Sequence, residues 1–190
     1  MRKIILFDMI SLDGFFEGAN HSLDWHNVDA EFNEFANDQL KSVDTLLFGR
    51  KTYDLMVSYW TTSAALTDDP AIANQMNSKH KIVFSKTMTK AEWNNTRLIK
   101  GNIKEEIEEL KKLAGQDLII MGSANLASTF RQLDLIDEYR IMVNPIVLGQ
   151  GTPLFKQPTE RFNLKLIKTK AFNSGNVLLY YEPVQQTKNH

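Results

Sequence analysis

The stretch Thr45-Leu46-Leu47-Phe48-Gly49-Arg50-Lys51-Thr52-Tyr53 reads as a strand, a turn and the start of a helix. Thr45 to Phe48 is a short apolar run of the kind a buried strand needs, and Gly49 ends it. Beyond it, Tyr53, Met56 and Val57 fall at helical spacing and give a helix a core-facing side. The order repeats: Lys81 to Phe84 runs into Ser85-Lys86-Thr87, and Leu118 to Met121 runs into Gly122-Ser123-Ala124-Asn125. Repeated strand-then-helix units predict a parallel sheet with helices on both faces.

Working outward, Ile4 to Ile10 is apolar and partly β-branched, which predicts a buried first strand. Ser11 to Asn20 holds Gly14, Gly18, Phe15 and Phe16, and reads as a long loop with something apolar to cover. Asp29 is placed to cap a helix whose core face is Phe32, Phe35, Ala36 and Leu40. Thr61 to Pro70 is polar and irregular, and a short helix is expected from Pro70 to Asn77. Ile103 to Leu113 is an amphipathic helix that Gly115 is placed to end, and Ala124 to Leu133 is another helix. After Asp137 the pattern changes. Tyr139 to Val147 and Leu164 to Phe172 alternate, Val177 to Tyr181 is apolar, and Asn173-Ser174-Gly175-Asn176 signals a hairpin. The expected fold is therefore α/β in three layers, with a mainly parallel mixed sheet and an antiparallel C-terminal edge. Residues 1–184 form one domain in this reading, and 185–190 a disordered tail.

Composition narrows the partners. The chain has 190 residues and a net charge of -1, so no electrostatic ground exists for nucleic acid or an anionic membrane. It has no cysteine, which excludes disulfides, thiolate metal sites and cysteine nucleophiles and fits a cytoplasmic protein. The apolar N-terminal run is cut short by Asp8, so it reads as a strand and not as a signal peptide. The histidines at 21, 26, 80 and 190 are scattered without carboxylate partners at ligand spacing, so no metal is expected. Gly-x-Ser-x-Gly, Gly-x-Gly-x-x-Gly and Gly-x-x-x-x-Gly-Lys-Ser/Thr are all absent.

The chemistry concentrates at the three junctions. A helix N-terminus offers free N–H groups and the positive end of its dipole to an anion. Gly49 and Gly122 let the backbone come close, Thr52 and Ser123 add hydroxyls, and Arg50 and Lys51 add charge. At each junction a plain turn or helix cap is the competing reading. Asp8 needs a reason as well, because an acid in an apolar strand is costly to bury. It faces a ligand or sits at the rim with water.

Taken in order, Ser11-Leu12-Asp13-Gly14-Phe15, Gly49-Arg50-Lys51-Thr52-Tyr53, Met121-Gly122-Ser123 and the segment from Pro145 to Phe155 suggest a family. Over residues 1 to about 182 the chain resembles the dihydrofolate-reductase-like superfamily. Within it the chain is most similar to the reductase domain of bacterial bifunctional riboflavin biosynthesis enzymes and its stand-alone relatives. The resemblance implies an NADPH-dependent reductase that moves hydride to a small pterin- or pyrimidine-like heterocycle. A non-catalytic NADPH- or metabolite-binding protein of the same fold is the alternative.

By resemblance, Arg50 and Lys51 lie near the adenosine 2′-phosphate and Thr52 near the pyrophosphate. Ser85 and Lys86 match a second 2′-phosphate contact, and Gly122, Ser123, Ala124, Asn125 and Leu126 match the turn around the pyrophosphate. That turn opens in the family with two glycines joined by a cis peptide, whereas here its first residue is Met121. The loop from Ser11 to Trp25 matches one that closes over nicotinamide. Phe15 or Phe16 would pack on the ring and Trp25 would lie near the substrate, or these rings cap the core. Glu31, four residues before Phe35, matches the family's substrate acid or is a solvated helix residue, and Asp8 is the second catalytic candidate. Phe35 and Asn144 are further substrate-side candidates. The stretch Leu148 to Phe155 reads as an active-site wall or a subunit contact, and a homodimer is expected from the stand-alone relatives.

Overall fold

A computed structural model describes residues 1–155 and 161–184; the expected tail, 185–190, lies outside the described residues. Its elements run β1 (Ile4–Ser11), β2 (Phe15–Glu17), α1 (Ala30–Lys41), β3 (Val43–Gly49), α2 (Arg50–Trp60), α3 (Ser63–Asp68), α4 (Pro70–Ser78), β4 (His80–Phe84) and β5 (Thr96–Ile99). They continue with α5 (Ile103–Lys112), β6 (Asp117–Met121), α6 (Ala124–Gln132), β7 (Glu138–Asn144), β8 (Thr152–Pro153), β9 (Leu164–Ala171) and β10 (Val177–Pro183).

Eight strands form one sheet in the order β5-β4-β3-β6-β1-β7-β10-β9. The pairs from β5 through β7 are parallel, and β10 runs antiparallel to both β7 and β9. The mixed sheet with an antiparallel C-terminal edge is thus as the sequence implied.

Alternation along the central strands divides the core in two. Ile4, Leu6, Leu47, Leu118 and Ile120 pack with Ala127 and Phe130 of α6 on one face. Ile5, Phe7, Leu46, Phe48 and Ile119 pack with α1, α2 and α4 on the other. Successive side chains of a strand point to opposite faces, so strands covered on both sides must be apolar throughout.

Four readings need correction. Thr61 to Pro70 is not wholly irregular, because Thr62 Oγ1 caps a short helix, α3, at the Ala65 N–H. β5 was not foreseen: it is a four-residue edge strand with an exposed Arg97, too short and too polar for the pattern to reveal. The expected strand over Tyr139 to Val147 stops at Asn144, since Pro145 cannot donate to a ladder. Ser85-Lys86-Thr87 does not open a helix; β4 is followed by a turn in which Ser85 Oγ accepts from Met88 N–H at 3.1 Å.

Lys81 is a buried cation with a structural post. Its Nζ donates to the carbonyls of Met76, Asn77 and Lys79 at 2.9, 3.1 and 2.8 Å, and it sits 4.6 Å over the Trp93 ring. It closes the C-terminal end of α4, where the free carbonyls favour a cation. Lys81→Met keeps the apolar stem and strands those carbonyls, so a loss of about 3 kcal/mol is expected. A lower urea midpoint at unchanged slope is the readout.

Candidate functional site

The carboxyl ends of β1, β3, β4 and β6 open into one cavity of about 1190 Å³. This is where an open α/β sheet places its ligands. Its floor is made by two helix N-termini that touch. Gly49 precedes α2 and packs against the turn before α6, where a Cβ on Gly49 would stand 2.4 Å from Ser123 Oγ. Gly122 packs in return against Thr52, whose Cγ2 would lie 3.2 Å from an added Cβ. Ser123 adopts φ 74° and caps α6 by accepting from Leu126 N–H at 3.3 Å. The N-termini of two helices therefore lie side by side, with the Ser123 and Thr52 side chains at their contact, a polar donor set for an anion. No peptide bond among the described residues is cis, Met121–Gly122 included.

Cations line one end. Arg50 and Lys51 begin α2, Lys86 follows β4 and Lys100 follows β5, all on the β5-β4-β3 side of the sheet. The Arg50 guanidinium donates to Thr87 Oγ1 at 2.9 Å and lies 3.5 Å from Asp54, which aims it at the turn carrying Ser85 and Lys86. Lys100 lies in this set although the sequence reading did not include it; it directly follows β5, the strand that was missed.

A loop closes the middle. β2 pairs with β8, and Phe16 lies over Gly122, with its Cε2 3.7 Å from where a Cβ would be. The segment after β7 holds this loop in place. Leu12 N–H donates to Ile146 O at 2.7 Å, Leu154 N–H to Gly14 O at 3.2 Å, and the Leu148 and Gly149 N–H groups to Asp13 at 3.1 and 2.8 Å. Those donors and Ser11 hold the Asp13 carboxyl below its usual range, the Ser11 hydroxyl first, against a smaller opposing cost of burial. Gly151 has φ +149°, and a Cβ there would meet Glu17 O at 2.2 Å. Gly151→Ala must push β2 away, so a loss of about 2 kcal/mol in stability is expected. Thermal melting checks it.

Asp8 sits in the cavity wall at 3% exposure. Burial pushes its carboxyl well above the ordinary 3.8, opposed only by a backbone hydrogen bond from Gly122. Its Oδ2 has no hydrogen-bond partner. Burial of this kind favours the protonated carboxyl, the form that can donate a proton. His26, set aside on sequence, also lines the wall; its Nε2 is buried without a partner, and burial pushes its pKa down to about 4.

Other sequence candidates stand elsewhere. The Glu31 carboxylate accepts from Asn173 N–H at 2.9 Å and lies 3.6 Å from Lys170 Nζ, so it ties α1 to the β9–β10 hairpin, outside the cavity. Phe35 packs among Phe7, Phe32 and Phe172. Trp25 donates to Ser22 O at 3.1 Å and meets the edge of His26. Asn144 is fully buried and accepts from Asn27 N–H at 2.9 Å, pinning the loop before α1. None of these four lines the cavity. Gly49 to Thr52, Ser85, Lys86, Gly122 to Leu126, Phe16 and Asp8 all do. Among the described residues no group of His, Asp and Glu side chains is arranged to hold a metal, and no helix is long and apolar enough to cross a membrane.

The family model of the RibD C-terminal domain matches residues 2–178. Two uncharacterized proteins of Bacillus subtilis (strain 168) are similar over nearly their whole length. YyaP is 39% identical over 180 residues, 95% of this chain and 94% of that one. YwjB is 32% identical over 181 residues, 95% and 97%. A solved structure from Shewanella sp. PV-4, of a protein named for riboflavin biosynthesis, superposes with TM-score 0.75 at 28% identity, covering 96% of this chain and 99% of that one. The diaminohydroxyphosphoribosylaminopyrimidine deaminase/5-amino-6-(5-phosphoribosylamino)uracil reductase of Thermotoga maritima shares the fold at TM-score 0.69 and 13% identity, with 96% of this chain matching 57% of the longer protein.

Proposed function

The chain belongs to the RibD C-terminal domain family, and on that premise we propose that it is an NADPH-dependent reductase of a small heterocycle. The observation that carries the proposal is the pair of touching helix N-termini beside a cluster of basic side chains, a shape that suits a dinucleotide with an added phosphate. Gly49, Thr52, Gly122 and Ser123 would hold the pyrophosphate. Arg50, Lys86 and Ser85, with Lys51, would hold the 2′-phosphate, because a phosphate dianion calls for charged donors. Ala124, Asn125 and Leu126 would continue the pyrophosphate turn. When bound, the cofactor supplies hydride.

The chain's own residues supply the rest. Phe16 covers the middle of the trough and excludes water. Reduction of a C=N or C=O bond consumes one hydride and one proton, and Asp8 holds a proton in the wall to complete it. The carboxylate then regains a proton from solvent. No catalytic role is proposed for Glu31. An exposed edge strand, β9, with Leu166 and Ile167 both exposed, supports carrying a homodimer as part of the reading.

Absorbance of NADPH, followed with a panel of dihydropterins and pyrimidine ribosides, is the test. Oxidation that depends on one of them is expected. Tight binding without turnover on any would favour a non-catalytic binding protein instead.

A further inference from the structure

The features of the trough follow one another across the sheet, whose order is β5-β4-β3-β6-β1-β7-β10-β9. Lys100, Lys86 and Arg50 follow β5, β4 and β3, the touching turns at Gly49 and Gly122 end β3 and β6, and Asp8 stands on β1. His26 comes next. It lines the cavity from the segment between β2 and α1, and that segment is tied to β7 and to the turn between β9 and β10. It therefore stands beyond β1 from Arg50, Lys86 and Lys100, at the end of the trough that the reductase reading leaves for the substrate.

The backbone on both sides of His26 is held. Asn27, the next residue, gives its N–H to Asn144 Oδ1 at 2.9 Å and its side-chain amide to Ser174 O at 2.7 Å, and its carbonyl accepts from Asn176 Nδ2 at 2.8 Å. Asn144 and Asn176 are fully buried and lie 117 and 149 residues further along the chain, yet both converge on this one backbone unit. On the other side, His26 N–H donates to Leu23 O at 3.1 Å, and the Trp25 ring stands nearly perpendicular to the imidazole at 4.4 Å between centroids. Rigid support of this kind is what a ligand-orienting side chain needs. The nitrogen it presents, Nε2, is buried without a partner. Such an atom is costly, and a ligand atom that pairs with it removes the cost. Burial also keeps the imidazole neutral by pushing its pKa down to about 4. A neutral imidazole has one donor and one acceptor nitrogen, which suits an uncharged ring N–H or carbonyl.

We propose that His26 contacts the substrate, its Nε2 hydrogen-bonding an uncharged ring N–H or C=O of the heterocycle and so turning the reducible bond toward the nicotinamide. This rests on the reductase reading above and adds to it the residue that orients the substrate. A few convergent polar groups in a largely apolar cavity are how small-molecule sites fix orientation.

The test measures binding to the NADPH-loaded protein by calorimetry, with two probes that carry such an edge, 6-methyl-7,8-dihydropterin and 5-amino-6-ribosylaminouracil. At least one is expected to bind. His26→Leu should weaken it about 10- to 100-fold, the effect of losing a buried hydrogen-bond partner. His26→Gln, whose amide reaches about as far as Nε2, should stay within about threefold of wild type. NADPH affinity should stay within about twofold in both variants. Because His26→Leu removes a buried unpartnered nitrogen, it should melt at or above the wild-type temperature, the opposite of what loss of a structural histidine gives. In nitrogen-15-labelled wild-type protein, the imidazole resonance that is missing from the His26→Gln spectrum should move when the probe joins the NADPH complex. Equal affinity of wild type and His26→Leu overturns the proposal. So does a stationary resonance, binding of neither probe, or a His26→Leu protein that melts lower and loses NADPH together with the probe. NADPH binding to the wild type is measured first; its absence would fail the reductase reading itself, a different result from NADPH binding with His26 uninvolved.

Discussion

Asp8→Asn is expected to lower kcat by about 100- to 10,000-fold, the range that a positioned proton donor supplies. NADPH affinity should stay within about twofold, since the side chain is assigned to no phosphate contact. The reason is the setting of Asp8, at 3% exposure with an unpartnered oxygen and a carboxyl pushed up by burial. Asparagine fills the same volume and has no proton to give. The pH dependence has a definite sign. A carboxyl whose folded pKa is raised keeps its proton in the native state after the unfolded chain has lost its own. The stability this gives is fully present below the unfolded value of 3.8 and is lost as pH rises through the raised value. Wild-type kcat/KM should therefore fall on the alkaline side through the same titration, and the variant should lack that limb. The variant's melting temperature should exceed the wild type's by more at about pH 9 than at about pH 4. Melting curves and pH–rate profiles read both, and an unchanged kcat would remove Asp8 from the chemistry.

Arg50→Ala combined with Lys86→Ala is the second large effect expected. Each charged hydrogen bond to a phosphate contributes about 1.5–3 kcal/mol, so losing two should weaken NADPH by about 100-fold or more. NADH, which lacks the 2′-phosphate, should lose far less. Arg50 already reaches toward the β4 turn through Thr87, so the two side chains act on one place. Titration of both nucleotides into both proteins decides it, and an equal loss for each would place the phosphate elsewhere.

Much of this was legible in the sequence, and the reasons are physical. β1, β3 and β6 are buried on both faces and so are written as continuous apolar runs. Gly49 and Gly122 stood out because a small residue after such a run marks a close approach, and in the fold the two turns do touch. Asp8 stood out as an acid where burial forbids a charge. Glu31, Phe35 and Asn144 were read from local spacing, which cannot say what lies across the sheet. Asn144 is held by Asn27, 117 residues away, and Glu31 by Asn173, 142 residues away. His26 gave no signal, because its significance comes from burial and not from neighbours in the chain. β5 was lost among polar residues, and Lys100 with it.

The most direct test of the account is a crystal structure of the protein grown with NADPH. The account predicts the pyrophosphate between the N-termini of α2 and α6, the 2′-phosphate beside Arg50 and Lys86, and the nicotinamide under Phe16 with Asp8 in the same chamber. A dinucleotide bound away from Gly49 and Gly122, or no bound dinucleotide at saturating concentration, would contradict it.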